Sequence, residues 1–187
     1  MRIGAVIWPD KASKDQLDKI RKRYDAHYHL IEPHITVIFP TSTSFPIEQV
    51  LQRIGELLKP FSPFQVHLDK WTTITAMHEV HYSGSRYLLE NFPNPVNALF
   101  LLAGEGGEKI LQLKQLLSTS IPQPDELVSY PGYLTIGQTL SDKEYQLAQK
   151  DLAKFKPNFS FKVSSIDVLR EKQNGSWSRL QTCSFGT

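Results

Sequence analysis

Residues 2–8 alternate and are rich in branched apolar types, a pattern that predicts a first β-strand. The period becomes helical over 13–24, where Leu17, Ile20 and Tyr24 recur on one face and Ser13 is placed to cap the start. A strand from His34 to Phe39 stops at Pro40 and a Thr/Ser-rich turn. Residues 46–59 carry Ile47, Val50, Leu51, Ile54, Leu57 and Leu58 on a helical stripe, with Pro46 in the first turn. Strands around 63–71 and 78–83 follow.

The order then begins again. Asn97 to Ala103 predicts a strand and Glu105 to Leu117 a helix, followed by a strand over Tyr133 to Gly137. Ser141 opens a helix running to about Phe155, and Ser141-Asp142-Lys143-Glu144 has capping-box spacing. Strands near 158–171 and 176–185 are joined by Asn174-Gly175, a strong hairpin signal. Both halves read β-α-β-α-β-β, a duplication of order rather than of close sequence. Two such units predict an α+β fold forming one bilobal body around a shared groove. Its lobes span about 1–83 and 97–187, with strands free to exchange between them. The segment 84–96 is irregular and reads as a surface loop between the halves.

Composition narrows the picture. With 187 residues, 40% of them hydrophobic and 21% charged, the chain suits one sizeable core and not disorder. No apolar run approaches the roughly 18–20 residues of a membrane span, and the apolar start is closed by Pro9-Asp10-Lys11 without a cleavage site, so no membrane association is expected. The only cysteine, Cys183, permits no intrachain disulfide, which fits a cytoplasmic location. A net charge of +2 predicts no nucleic-acid-coating surface, so phosphate binding would need a local site.

Candidate chemistry sits on two strands. In Pro33-His34-Ile35-Thr36-Val37, strand alternation projects His34 and Thr36 together and sends Ile35 and Val37 to the core. An imidazole that exchanges protons near neutral pH then stands beside a hydroxyl able to hold a phosphate oxygen. At the same place in the second half, Tyr133-Leu134-Thr135-Ile136-Gly137 again puts a titratable ring and a threonine on one face. Taken alone, a strand histidine is usually structural, and strand threonines are common.

The two stretches together resemble the 2H phosphoesterase (2′-5′ RNA ligase-like) family, which carries two His-x-Thr/Ser motifs facing each other across a groove. Arg21-Lys22-Arg23-Tyr24-Asp25, Ile31-Glu32-Pro33-His34-Ile35-Thr36, Leu134-Thr135-Ile136-Gly137-Gln138-Thr139-Leu140-Ser141-Asp142 and Asn174-Gly175-Ser176-Trp177 look like its bacillary, YjcG-type branch. The resemblance implies two pseudo-symmetric lobes with antiparallel sheets flanking a central groove. It also implies a monomer with no metal and no cofactor, acting on RNA ends or nucleotides that bear a cyclic phosphate. The second motif departs from the pattern. Where the family has Pro-His-x-Thr, this chain has Pro131-Gly132-Tyr133-Leu134-Thr135. Alignment on Thr135 puts Tyr133 in the histidine's place; alignment on Pro131 puts Gly132 there. The threonine register is preferred, because the two-residue period continues through it to Gly137.

Under the resemblance His34, Thr36, Tyr133 and Thr135 are the candidate catalytic residues. His34 would be the base and Tyr133, a donor but a poor base at neutral pH, the acid. Tyr133 can equally be read as a base-stacking or phosphate-contacting ring, or as packing. Tyr28, Arg86 and Trp177 are candidate substrate-binding residues; for Trp177 the alternative is hairpin packing. His27 and His29 read as a solvated loop. His78 and His81 suit neither one strand face nor a zinc signature. Arg21-Lys22-Arg23 read as a solvated answer to a helix dipole, with RNA steering as the alternative. Three functions compete: a phosphoesterase, a degenerate module that binds a nucleotide or RNA end without turnover, and a structural or partner-binding protein.

Overall fold

The computed structural model describes residues 1–76, 96–123 and 132–186. The expected strand at 78–83, most of the 84–96 loop, and His78, His81 and Arg86 lie outside the described residues. In chain order the elements are β1 (Arg2–Ile7), α1 (Lys11–Tyr24), β2 (Ile35–Ser42), α2 (Ile47–Leu58), β3 (Phe64–Ala76) and β4 (Val96–Ala103). They continue with α3 (Gly107–Ser118), β5 (Tyr133–Leu140), α4 (Asp142–Leu152), β6 (Phe159–Val163), β7 (Ser165–Glu171) and β8 (Trp177–Ser184). Among the described residues, no helix is long and apolar enough to cross a membrane.

The strands form one sheet in the order β6-β3-β4-β5-β2-β1-β7-β8. Every neighbouring pair is antiparallel. The expected α+β class and antiparallel architecture are therefore present. Strands are exchanged between the sequence halves: β3 pairs with β4 and β6, while β7 lies between β1 and β8. The two half-sheets meet where β2 and β5 run side by side, in register at Ile35 and Leu134.

Local sequence explains the elements. Helix α2 buries Val50, Ile54 and Leu58 at a spacing of four, one stripe of a 3.6-residue period. Strand β6 buries Phe159, Phe161 and Val163 and exposes Ser160 and Lys162 between them. Ser141 and Glu144 make the expected capping box at α4. Gly175, at φ 78°, supplies the left-handed residue that the Asn174-Gly175 turn requires.

Two expectations are corrected. The cap of α1 is Asp10, not Ser13: the Asp10 carboxylate accepts the Ser13 backbone N–H at 2.7 Å, so the helix begins earlier. The run 158–171 is two strands, β6 and β7, which serve opposite half-sheets.

Candidate functional site

The junction of the half-sheets builds the site. Ile35 and Leu134 pair across β2 and β5 and are fully buried. Antiparallel register around that pair sets His34 against Thr135 and Thr36 against Tyr133, all on the opposite face. The four side chains line one cavity of about 150 Å3. On the outer flanks β1 pairs Val6 with Thr36 and β4 pairs Phe100 with Thr135, so an apolar wall stands beside each threonine.

His34 is oriented by its own loop. Its Nδ1 lies 2.7 Å from the Glu32 carbonyl oxygen, and because a carbonyl only accepts, Nδ1 carries the proton. Nε2 is left as the basic nitrogen. The ring keeps part of its surface open to the cleft while protein encloses its other sides. Desolvation pushes its pKa down to about 4; the Glu32 bond opposes this and the Arg21 charge adds to it. The imidazole is therefore neutral at pH 7. Trp8 packs against it in a T-shaped arrangement with ring centroids 5.9 Å apart.

Tyr133 faces the cavity and Gly132 does not. A Cβ on Gly132 would meet the Ile110 side chain at 2.5 Å, so that position is closed by α3. The Tyr133 ring is held edge-on by Phe100 at 4.7 Å, and the Lys114 ammonium lies 5.4 Å from its centroid. Lys114 is 2% exposed, also lies 5.3 Å from the Phe39 ring, and desolvation lowers its pKa to about 8.

One end of the cavity is closed by the end of α1. Gly137 admits this approach, since a Cβ there would lie 2.7 Å from the Tyr24 carbonyl oxygen. Arg21, 2% exposed, donates Nε and Nη2 to Asp25 Oδ2 at 3.1 and 2.8 Å. Asp25 Oδ1 accepts from the His27 backbone N–H at 3.0 Å and from Gln138 Nε2 at 3.2 Å. Burial alone would raise the Asp25 pKa, but the His27 hydrogen bond and the Arg21 charge outweigh it and hold the carboxyl below its ordinary value. Arg21, Asp25, His27 and Gln138 all line the cavity. Helix α1 is thereby clamped to β5, the strand that carries the second motif.

The structure thus brings His34, Thr36, Tyr133 and Thr135 together. Trp177, half-buried, lines both the cavity and an adjoining groove. Tyr28, 37% exposed, lies in an adjoining groove and not in the cavity. The solvated reading is corrected for Arg21 and His27, both buried; His29 is exposed. No site role was expected from the sequence for Asp25, Gln138, Lys114 or Trp8. The signal for Arg21 was its place at i+4 from Leu17 and i−3 from Tyr24, on the buried stripe of α1.

A family model described as the 2′-5′ RNA ligase superfamily matches residues 8–175. The chain belongs to this superfamily. The likeness to 2H phosphoesterases read from the sequence is thereby confirmed. A relative from Bacillus mycoides, named "Putative phosphoesterase", is 27% identical, covering 100% of this chain and 98% of its own length. Among solved structures, TT0787 of Thermus thermophilus superposes with a TM-score of 0.62 at 14% identity, covering 99% of this chain and 98% of that one. Escherichia coli LigT in complex with 3′-AMP gives 0.58 at 13% identity, covering 100% and 98%. The fold is shared with these structures across the whole chain.

Proposed function

We propose that the chain is a phosphoesterase that opens a 2′,3′-cyclic phosphate at an RNA end or nucleotide. The observation that carries this reading is His34, its Nδ1 pinned to Glu32, on one sheet face with Thr36, Thr135 and Tyr133 around a cavity of about 150 Å3. Superfamily membership supports phosphoester chemistry, and the LigT complex with 3′-AMP supports a nucleotide ligand.

In this reading the threonine hydroxyls donate to the non-bridging phosphate oxygens. Water attacks phosphorus while His34 Nε2 accepts its proton. The bond from phosphorus to one ribose oxygen breaks, and the Tyr133 hydroxyl donates a proton to that oxygen. A phosphomonoester and a free ribose hydroxyl result, and proton return from imidazolium to phenolate, through water, completes the cycle.

Tyr133→Phe tests the acid. Loss of a positioned proton donor lowers kcat for a 2′,3′-cyclic nucleotide by about 100-fold, the low end of general-acid contributions. Full activity in this variant would remove Tyr133 from the chemistry. The close fit of Tyr133 between Phe100 and Lys114 supports a second reading, a binding module without turnover. Wild-type protein that binds the nucleotide without hydrolysing it would establish that alternative.

The pH dependence follows from His34. A base must be deprotonated, and with a pKa of about 4 it is so at all pH above that value. The acid limb of kcat/KM is therefore expected near pH 4 rather than near the ordinary histidine value of about 6.5. The same shift erodes stability as pH falls from about 6.5 to about 4, because the unfolded ring binds a proton that the folded ring refuses. A kcat/KM profile between pH 3.5 and 8, limited by where the protein remains folded, checks this.

A further inference from the structure

Helix α3 meets the start of β5 through two residues four apart on one of its faces. Ile110 closes the Gly132 position, and Lys114 stands one turn further along. The Lys114 ammonium lies 5.4 Å from the Tyr133 ring centroid and 5.3 Å from that of Phe39. Both rings line the cavity and Lys114 does not. With Lys114 only 2% exposed, its charge is felt at Tyr133 with little screening by water.

Such a residue is expensive. A methionine would fill the same space without the desolvation that burial imposes on an ammonium. That desolvation lowers the Lys114 pKa to about 8, so the group still carries its charge at pH 7. Among the described residues, β2 contains no titratable side chain and β5 only that of Tyr133. The charges of α2, on Glu48, Arg53 and Glu56, are exposed, as are those of Glu108 and Lys109 on α3 itself. In the cavity His34 is neutral above about pH 4, and His27 stands beside Asp25. Arg21 is paired with Asp25, and Glu171 with Arg2.

A cation at this place suits a tyrosine and not a histidine. It favours the ionised form of a phenol, whereas it disfavours imidazolium. We propose that Lys114 is a positioning residue for proton donation by Tyr133, its ammonium stabilising the phenolate that forms as the hydroxyl proton passes to the leaving ribose oxygen. This rests on the reading of Tyr133 as the acid and deepens it. Lys114 keeps its own proton throughout and touches no reacting atom; the phenolate regains its proton from the His34 imidazolium through water. The departure of the second motif from His-x-Thr is thus matched by a charge from α3 that a tyrosine acid can use.

The test is kcat for 2′,3′-cyclic uridine monophosphate from about pH 6 to about pH 9.5, measured on the whole chain and on its Lys114→Met, Lys114→Arg and Tyr133→Phe variants. Lys114→Met is expected to lower kcat at pH 7 by about 10-fold, the scale of one unit charge acting on a proton transfer in a desolvated site, with KM changed far less. Wild-type kcat should fall by the same factor as pH rises through about 8, where Lys114 loses its charge. Lys114→Arg, charged at every pH used, should hold the high value throughout, and Lys114→Met the low one. In the Tyr133→Phe background, Lys114→Met should lower kcat no further. Wild-type kcat in Lys114→Met at every pH overturns the role of Lys114, and a loss of about 100-fold in Tyr133→Phe beside it leaves the acid standing. A fall near pH 8 that persists in Lys114→Arg overturns the role as well, as does a Lys114→Met loss that is undiminished in the Tyr133→Phe background. Full activity in Tyr133→Phe, or no turnover by the wild type, overturns the acid and the role of Lys114 together.

Discussion

His34→Ala is expected to lower kcat for a 2′,3′-cyclic phosphate by about 10²–10⁴-fold, with KM changed far less. That range is what a positioned base contributes, equivalent to about 3–5 kcal/mol of barrier. The loss would fall on kcat because the proposed mechanism needs proton acceptance in the transition state, whereas it assigns the ground-state phosphate contacts to Thr36 and Thr135. In the variant, the Glu32 carbonyl loses its partner at a site open to solvent, so water replaces the bond at little cost. Steady-state kinetics beside a urea unfolding curve separate the two effects. A large fall in stability accompanying the fall in kcat would make His34 structural, and an unchanged kcat would remove it from the reaction.

Arg21→Ala is expected to destabilise the fold by about 3–5 kcal/mol, the usual result of removing one partner from a buried ion pair. The side chains of Arg21 and Asp25 are 2% and 1% exposed. Without the guanidinium, the Asp25 carboxylate keeps the His27 and Gln138 donors but loses its charge partner. A double variant, Arg21→Met/Asp25→Asn, removes both charges while an amide oxygen still accepts from His27 and Gln138, and should recover much of that loss. Urea unfolding of both variants measures this. Near-native stability in Arg21→Ala alone would show the clamp between α1 and β5 to be idle.

The parts of the site legible in the sequence are those governed by strand alternation. The period of two puts His34 with Thr36 and Tyr133 with Thr135, and the same period, continued to Gly137, favours Tyr133 over Gly132 for the cleft. What alternation cannot state is which strand lies beside which. Hydrophobic periodicity reports the face that is buried and is silent on the partner, so the exchange of β3 and of the β7–β8 hairpin between the halves had no direct signal. One indirect signal existed. The burial phase 159, 161, 163 slips before Ile166, at the point where the chain leaves one half-sheet for the other. Arg21 was misread for a different reason: residue type was weighed above position. Its spacing from Leu17 and Tyr24 marks it as interior, and Asp25 four residues on is the counter-charge that makes such burial tolerable.

The exchanged strands bear on how the molecule is made. Val6 in β1 pairs with Asp167 in β7, so the sheet around the first motif is incomplete until that distant segment has left the ribosome. A chain synthesised from its N-terminus therefore holds β1 with one open edge for most of translation, an invitation to wrong pairing. Such long-range pairing also raises contact order and slows folding. The cleft consequently comes into being late and all at once: no partial product of translation carries half of it in working order.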